Sequence, residues 1–210
     1  GYQKTKLTDI NPVIRNLTGE EIEKAYNLIE TKGIYDFVKV EEMCIDSKKI
    51  NLRNKLFFNV NRKIMDSFAG IEYIVCGVVT IGHYLEEKIA EYFSKGEAPR
   101  AMTLDAAGTV AVRNLRSSLG YLICQKASKI GLQTTEFFSP GEKYWTIEEQ
   151  KNLFQLIPAY KIGVKITDSC MMIPKKSLSF ITGLGKKSEI ITKTKKEHSC
   201  KTCKAIDCQF

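Results

Sequence analysis

At 210 residues and 23.8 kDa, with 43% hydrophobic and 27% charged residues, the chain has the make-up of a globular protein with enough length for a sizeable core. The longest apolar run, Ile71 to Ile81, is broken by Glu72 and Gly77 and falls short of the roughly 18 residues a membrane span needs. The opening GYQKTKLTDINP has no apolar signal region, so the expectation is a cytoplasmic protein with no membrane contact. The net charge of +8 is uneven, because residues 186–204 hold seven Lys and two Glu and so supply +5 of it. That run has no Arg to read base edges and no aromatic ring to stack on bases, which argues against nucleic acid as a partner.

In chain order, LTGEEIEKAYNLIETKG (17–33) predicts a helix, with Thr18 and Glu21 spaced as a capping box and Gly33 as its stop. YDFVKVEEMCID alternates as a strand does, and DSKKINL offers a turn and a short partner strand. NVNRKIMDSFAG predicts a helix ending at Gly70. EYIVCGVVTIG is the clearest buried strand, being short, β-branched and apolar. It feeds HYLEEKIAEYFSKG, a helix with Leu85, Ile89, Tyr92 and Phe93 on one face. Residues 99–131 predict a long helix with Pro99 in its first turn. After a Ser-Pro-Gly loop, TIEEQKNLFQLI predicts another helix with a capping box, Thr146 with Glu149, ended by Pro158. GVKITDSCMMIP and SLSFITGLG read as a β pair around PKKS. Strands early and late with helices between them make the class α+β.

Common catalytic signatures are absent: there is no phosphate loop, no GxSxG elbow and no HExxH helix. GLGKKS (183–188) lacks the first glycine of a phosphate loop and reads as a turn. His83 sits at a strand-to-helix turn, as an anion holder or as a polar residue at a helix start. Cys44, Cys76 and Cys124 lie singly in apolar or helical contexts, as small buried hydrophobes do. Cys200, Cys203 and Cys208 crowd the C-terminus, and Cys170 lies in TDSCMMIPKKSLS. An odd total of seven cysteines argues against a disulfide framework.

Four stretches in one order carry a resemblance: VVTIG followed by LEEKIAEYF, then LDAAGTVAV, then SPG…W…EEQ, then SCMMIPKKS. Together they resemble the activation domain of cobalamin-dependent methionine synthase in a short stand-alone form, over residues 35–185. Residues 1–34 would then be a helical extension and residues 186–210 a basic, Cys-rich tail. The resemblance implies an α+β fold, with a twisted antiparallel sheet flanked by helices and shaped as a clasp. It implies reductive reactivation of a corrinoid held by another protein, either a corrinoid protein or a short methionine synthase. A low-potential donor such as flavodoxin or ferredoxin supplies one electron, and S-adenosylmethionine supplies the methyl group. The physical task is positioning.

The family's ligand loop reads Arg-x-x-Pro-Gly-Tyr, whose arginine pairs with the methionine carboxylate. Here the stretch is Phe137-Phe138-Ser139-Pro140-Gly141-Glu142, so Phe137 stands for the arginine and Glu142 for the tyrosine, with Tyr144 two residues on. A late aromatic pair of the family site aligns with Ile190 and Ile191. The resemblance thus implies cofactor contacts at Ser139, Pro140, Gly141, Tyr144, Cys170, Met171, Met172 and Pro174, with the corrinoid against the faces around Pro140–Tyr144 and Cys170–Pro174. Lys143 or the start of the next helix would have to replace the lost grip, with weakened affinity for S-adenosylmethionine. The other reading, from a different class, is a non-catalytic corrinoid-binding or electron-transfer adaptor. Cys200-x2-Cys203-x4-Cys208 is half of a metal pattern, with Cys170 as fourth ligand and His198 as a second choice, for either zinc or an iron–sulfur cluster.

Overall fold

A computed structural model describes residues 12–186. Along β4 (Tyr73–Thr80), Ile74, Cys76 and Val78 alternate with Val75, Gly77 and Val79, and both sets are buried. A strand buried on both faces has to be central, and β4 is. It pairs on one side with β1 (Lys32–Cys44) and on the other with β8 (Ser177–Lys186). β2 (Lys49–Leu52), β3 (Phe57–Asn59) and β5 (Leu132–Phe138) complete a six-stranded antiparallel sheet of order β3-β2-β1-β4-β8-β5.

Two cores follow from the alternation. Ile74, Cys76 and Val78 face α2 (Arg62–Ser67), Trp145 and α5 (Gln150–Leu156). Val75, Val79, Phe180 and Leu184 face α1 (Pro12–Leu28), α3 (Tyr84–Ser94) and the 32-residue α4 (Ala98–Lys129). Burial in a water-free strand pushes the Cys76 thiol far above its ordinary pKa, so it is inert packing. A two-stranded ladder of β6 (Lys165–Ile166) and β7 (Met172–Ile173) stands apart from the main sheet.

The α+β class, with an antiparallel sheet flanked by helices, is as the sequence and its resemblance imply, and several local expectations are not. α1 begins at Pro12, a residue suited to a first turn, so Thr18 lies inside it, and it ends at Leu28. Gly33 belongs to β1, where an added Cβ would come within 3.3 Å of Val79 and 3.4 Å of Leu119. Phe93 of α3 is exposed, because Leu85, Ile89 and Tyr92 already fill the face that meets α4. The segments 163–174 and 177–185 do not pair as a hairpin: β7 pairs with β6, and β8 is taken up by β4 and β5. Gly183 to Lys186 therefore continue β8 rather than turning. Cys44 and Cys124 are only half-buried, and Cys124 Sγ lies 3.0 Å from Thr134 Oγ1. The short strands β3 and β5 have no counterpart in the sequence reading.

Candidate functional site

β5 carries a bulge between Thr134 and Phe137, where the pairing with β8 shifts register. Thr135 fills the gap: its Oγ1 accepts from Gly183 N at 2.9 Å, and its carbonyl accepts from Thr182 Oγ1 at 3.0 Å. Such bulges re-aim the side chains that follow. Phe137 turns to the α4 side, and Phe138 turns to the other core, edge-on to Phe68 with ring centroids 5.7 Å apart.

The loop after β5 is closed on itself. Glu142 N donates to Ser139 O, Trp145 N donates to Glu142 O, and Gly141 N donates to Trp145 O at 2.9 Å. Gly141 has φ of +85°, and a Cβ there would come within 2.9 Å of Ile147 Cδ1, so only glycine fits easily. Trp145 pins the loop to the sheet, with Nε1 donating to Asn59 O at 2.9 Å and its ring edge-on to Phe58. Lys63 of α2 lies over the Tyr144 ring at 4.4 Å and pairs with Glu136 at 3.1 Å.

Gln150, only 1% exposed at the start of α5, ties β8 to the Met-rich segment. Its Oε1 accepts from Ser179 Oγ at 2.5 Å, and its Nε2 donates to Cys170 O at 3.3 Å. The turn that presents Cys170 is built by Thr167: Cys170 N donates to Thr167 O, and Met171 N donates to Thr167 Oγ1 at 3.1 Å. Cys170 has φ of +64° and a buried side chain. In β7, Met172 packs into the first core while its neighbours Met171 and Ile173 are exposed. Pro174, after a cis bond from Ile173, is buried, and its carbonyl accepts from Ser177 Oγ at 2.7 Å.

The predicted residues therefore divide by accessibility. Gly141, Tyr144 and Met171 reach the surface, whereas Ser139, Pro140, Cys170 and Pro174 are buried and shape the backbone. Cys200, Cys203, Cys208, His198, Ile190 and Ile191 lie outside the described residues, as does the basic run beyond Lys186. Among the described residues, no three His, Cys, Asp or Glu side chains gather as a metal site around Cys170 or elsewhere. His83 stacks beside Tyr84 and lies 3.8 Å from Glu87, with no capping bond of its own.

The two substitutes for the lost arginine fare differently. The start of the helix after the loop does not stand open to an anion. A 3-10 turn (Ile147–Glu149) precedes α5, and its own carboxylates occupy the position. Glu148 is held below its usual range by its own backbone N–H and by Thr146, and Glu149 accepts from Asn59 at 2.7 Å and from Asn152 at 3.1 Å. The expected capping box of Thr146 with Glu149 is accordingly not made. Lys143 is exposed, with Nζ 5.4 Å from the Tyr144 ring centroid.

Sequence reasoning missed Arg116. It sits on α4, with Cζ 5.1 Å from the Phe137 ring centroid and 5.6 Å from that of Phe180. Among the described residues it has no ion pair and no side-chain hydrogen bond. Burial lowers its pKa, and the Glu142 carboxylate pulls the other way. No local pattern marks it, since only the turn of Phe137 toward α4 brings it to the loop. Elsewhere, a depression of about 380 Å³ lies between α3, α4 and the turn before β8, lined by Glu86, Phe93, Asp105, Lys175 and Lys176 among others.

No described helix is long and apolar enough to cross a membrane. No protein-family model and no curated protein matches the chain. Among solved structures it is similar to the MetH reactivation domain bound to AdoHcy, with a TM-score of 0.56 and 13% identity, over 90% of this chain and 69% of that one. The fold is thus that of a methionine synthase reactivation domain.

Proposed function

We propose that this chain acts as a reactivation-type domain: it holds an S-adenosyl ligand beside the Ser139–Tyr144 loop and docks on a corrinoid carried by another protein. The observation that carries this reading is the fold likeness over 90% of the chain to a domain solved with AdoHcy bound. The closed Gly141 loop, and the Cys170 turn that Gln150 ties to β8, support it, because they give a ligand pre-formed walls. S-adenosylmethionine, when bound, supplies an electrophilic methyl group. The chain's own contribution is to orient it, through a loop fixed by Trp145 and a surface formed by exposed Met171 and Ile173. A polarisable thioether beside an aliphatic side chain suits a flat apolar partner such as a corrin ring. A separate low-potential donor of the flavodoxin or ferredoxin type delivers the electron.

A second reading has one observation in its favour. Phe137, at the position of the family's arginine, is packed toward α4, which fits an adaptor that clasps a corrinoid without an S-adenosyl ligand.

The test is a reconstitution with a cob(II)alamin-loaded corrinoid protein, a low-potential reductant and S-adenosylmethionine. The proposed function predicts that the absorption spectrum of methylated corrinoid appears only when the chain is added. A spectral shift or co-elution without methylation would favour the adaptor. No interaction with any corrinoid protein would exclude both.

A further inference from the structure

Arg116 is a charged group with no ion pair and no side-chain hydrogen bond among the described residues, and only the field of Glu142 opposes its charge. Its Cζ lies 5.1 Å from the ring centroid of Phe137 and 5.6 Å from that of Phe180, and no carboxylate of the described residues forms an ion pair with it. A half-buried cation left unpaired is costly, and the rings return only part of that cost. The rings offer no hydrogen-bond acceptor in their planes, and with no side-chain hydrogen bond among the described residues the guanidinium keeps the donors that can grip a carboxylate in bidentate fashion. At Gly120 an added Cβ would come within 3.3 Å of the Phe137 ring, so the missing side chain lets the ring lie close to α4 one turn from Arg116. Ser139 follows Phe137 by two residues, so the guanidinium lies at the root of the candidate loop. Glu142 at its tip is the acid whose field reaches Arg116.

We infer that Arg116 binds the α-carboxylate of the S-adenosyl ligand's amino-acid end, with Glu142 as the acidic group for its α-ammonium. This inference rests on the proposed S-adenosyl site and names the residues that give it specificity. It accounts for both departures from the family loop together. An arginine on α4 replaces the one missing at 137, and Glu142 adds the opposite charge that a zwitterionic end requires.

Two probes separate the amino-acid end from the nucleoside: S-adenosylhomocysteine, which has the end, and 5′-methylthioadenosine, which lacks it. Calorimetric titration of the full chain should show that Arg116→Gln weakens S-adenosylhomocysteine by about tenfold or more. Affinity for 5′-methylthioadenosine should stay unchanged, which also reports that the variant is folded. Arg116→Lys should recover part of the loss and Lys143→Ala should cost nothing. Equal affinity of wild type and Arg116→Gln for S-adenosylhomocysteine would overturn the inference and leave the S-adenosyl site standing. A parallel loss for both probes would assign Arg116 a purely structural role, and a loss in Lys143→Ala alone would move the grip to that residue. Failure of the wild-type chain to bind either probe would sink the S-adenosyl site itself, and this assignment with it.

Discussion

The Cζ of Arg116 lies 5.1 Å from the centroid of the Phe137 ring, so the position to which the sequence resemblance assigns an arginine is already under a positive charge in this chain. Restoring the family residue by Phe137→Arg would set two guanidinium groups against one apolar face and remove a ring packed on Gly120 and Phe180. The variant should lose roughly 3 kcal/mol or more of stability, from lost core packing and an uncompensated like charge. Denaturant unfolding reads this directly. Phe137→Arg with Glu142→Tyr is therefore expected not to raise ligand affinity. An unchanged denaturation midpoint would show that Phe137 does not pack as described.

Gly77 pairs with Phe180 across β4 and β8, and the ring takes the space of the missing side chain. A Cβ on Gly77 would sit 2.3 Å from Phe180 Cζ, with all three nearest atoms belonging to that ring. Gly77→Ala should cost about 1–3 kcal/mol by overpacking, and more if the ring cannot swing away. Combining it with Phe180→Leu should cost less than the sum of the two single changes. Strict additivity would contradict the contact.

Gly141→Ala forces a side chain into the left-handed region at φ of +85°. The backbone term alone is worth about 1–2 kcal/mol. The neighbour, Ile147 Cδ1 at 2.9 Å, is the end of a flexible side chain and can yield. The expected result is a modest fall in melting temperature with a clear loss of S-adenosylhomocysteine binding. Full affinity in a destabilised variant would remove the loop from the site.

Glu91 near the end of α3 is held at about 2, below its ordinary 4.5, first by the hydrogen bond from Lys88 and then by that from Lys95. Its folded value is the lower one, so its contribution is present above about 4.5 and is lost as pH falls toward 2. Glu91→Gln should be less stable than wild type at neutral pH and equal to it near the bottom of that window. The group is exposed, so salt should shrink the difference. A melting-temperature gap that is the same at both ends of the window would contradict the pairing.

The unbroken apolar run in YIVCGVVT announces a strand buried on both faces, and that one strand implies a layer on each side of the sheet. α4, with Pro99 in its first turn, is equally legible. The sequence hides what depends on partners. β5 has a bulge that breaks its alternation, and β7 and β8 look like a hairpin until β4 claims β8. Phe93 fits the helical face by spacing and lies outside it once α4 is docked. The loop was visible through Ser-Pro-Gly, but its charge partner was not, because Arg116 comes from a helix twenty-three residues before Ser139 in the chain.

The central claim is that this fold still holds an S-adenosyl ligand. Calorimetric titration of S-adenosylhomocysteine into the wild-type chain tests it most directly. The account predicts saturable binding of one ligand per chain. Absence of binding at millimolar ligand, in protein whose unfolding is cooperative, would contradict it.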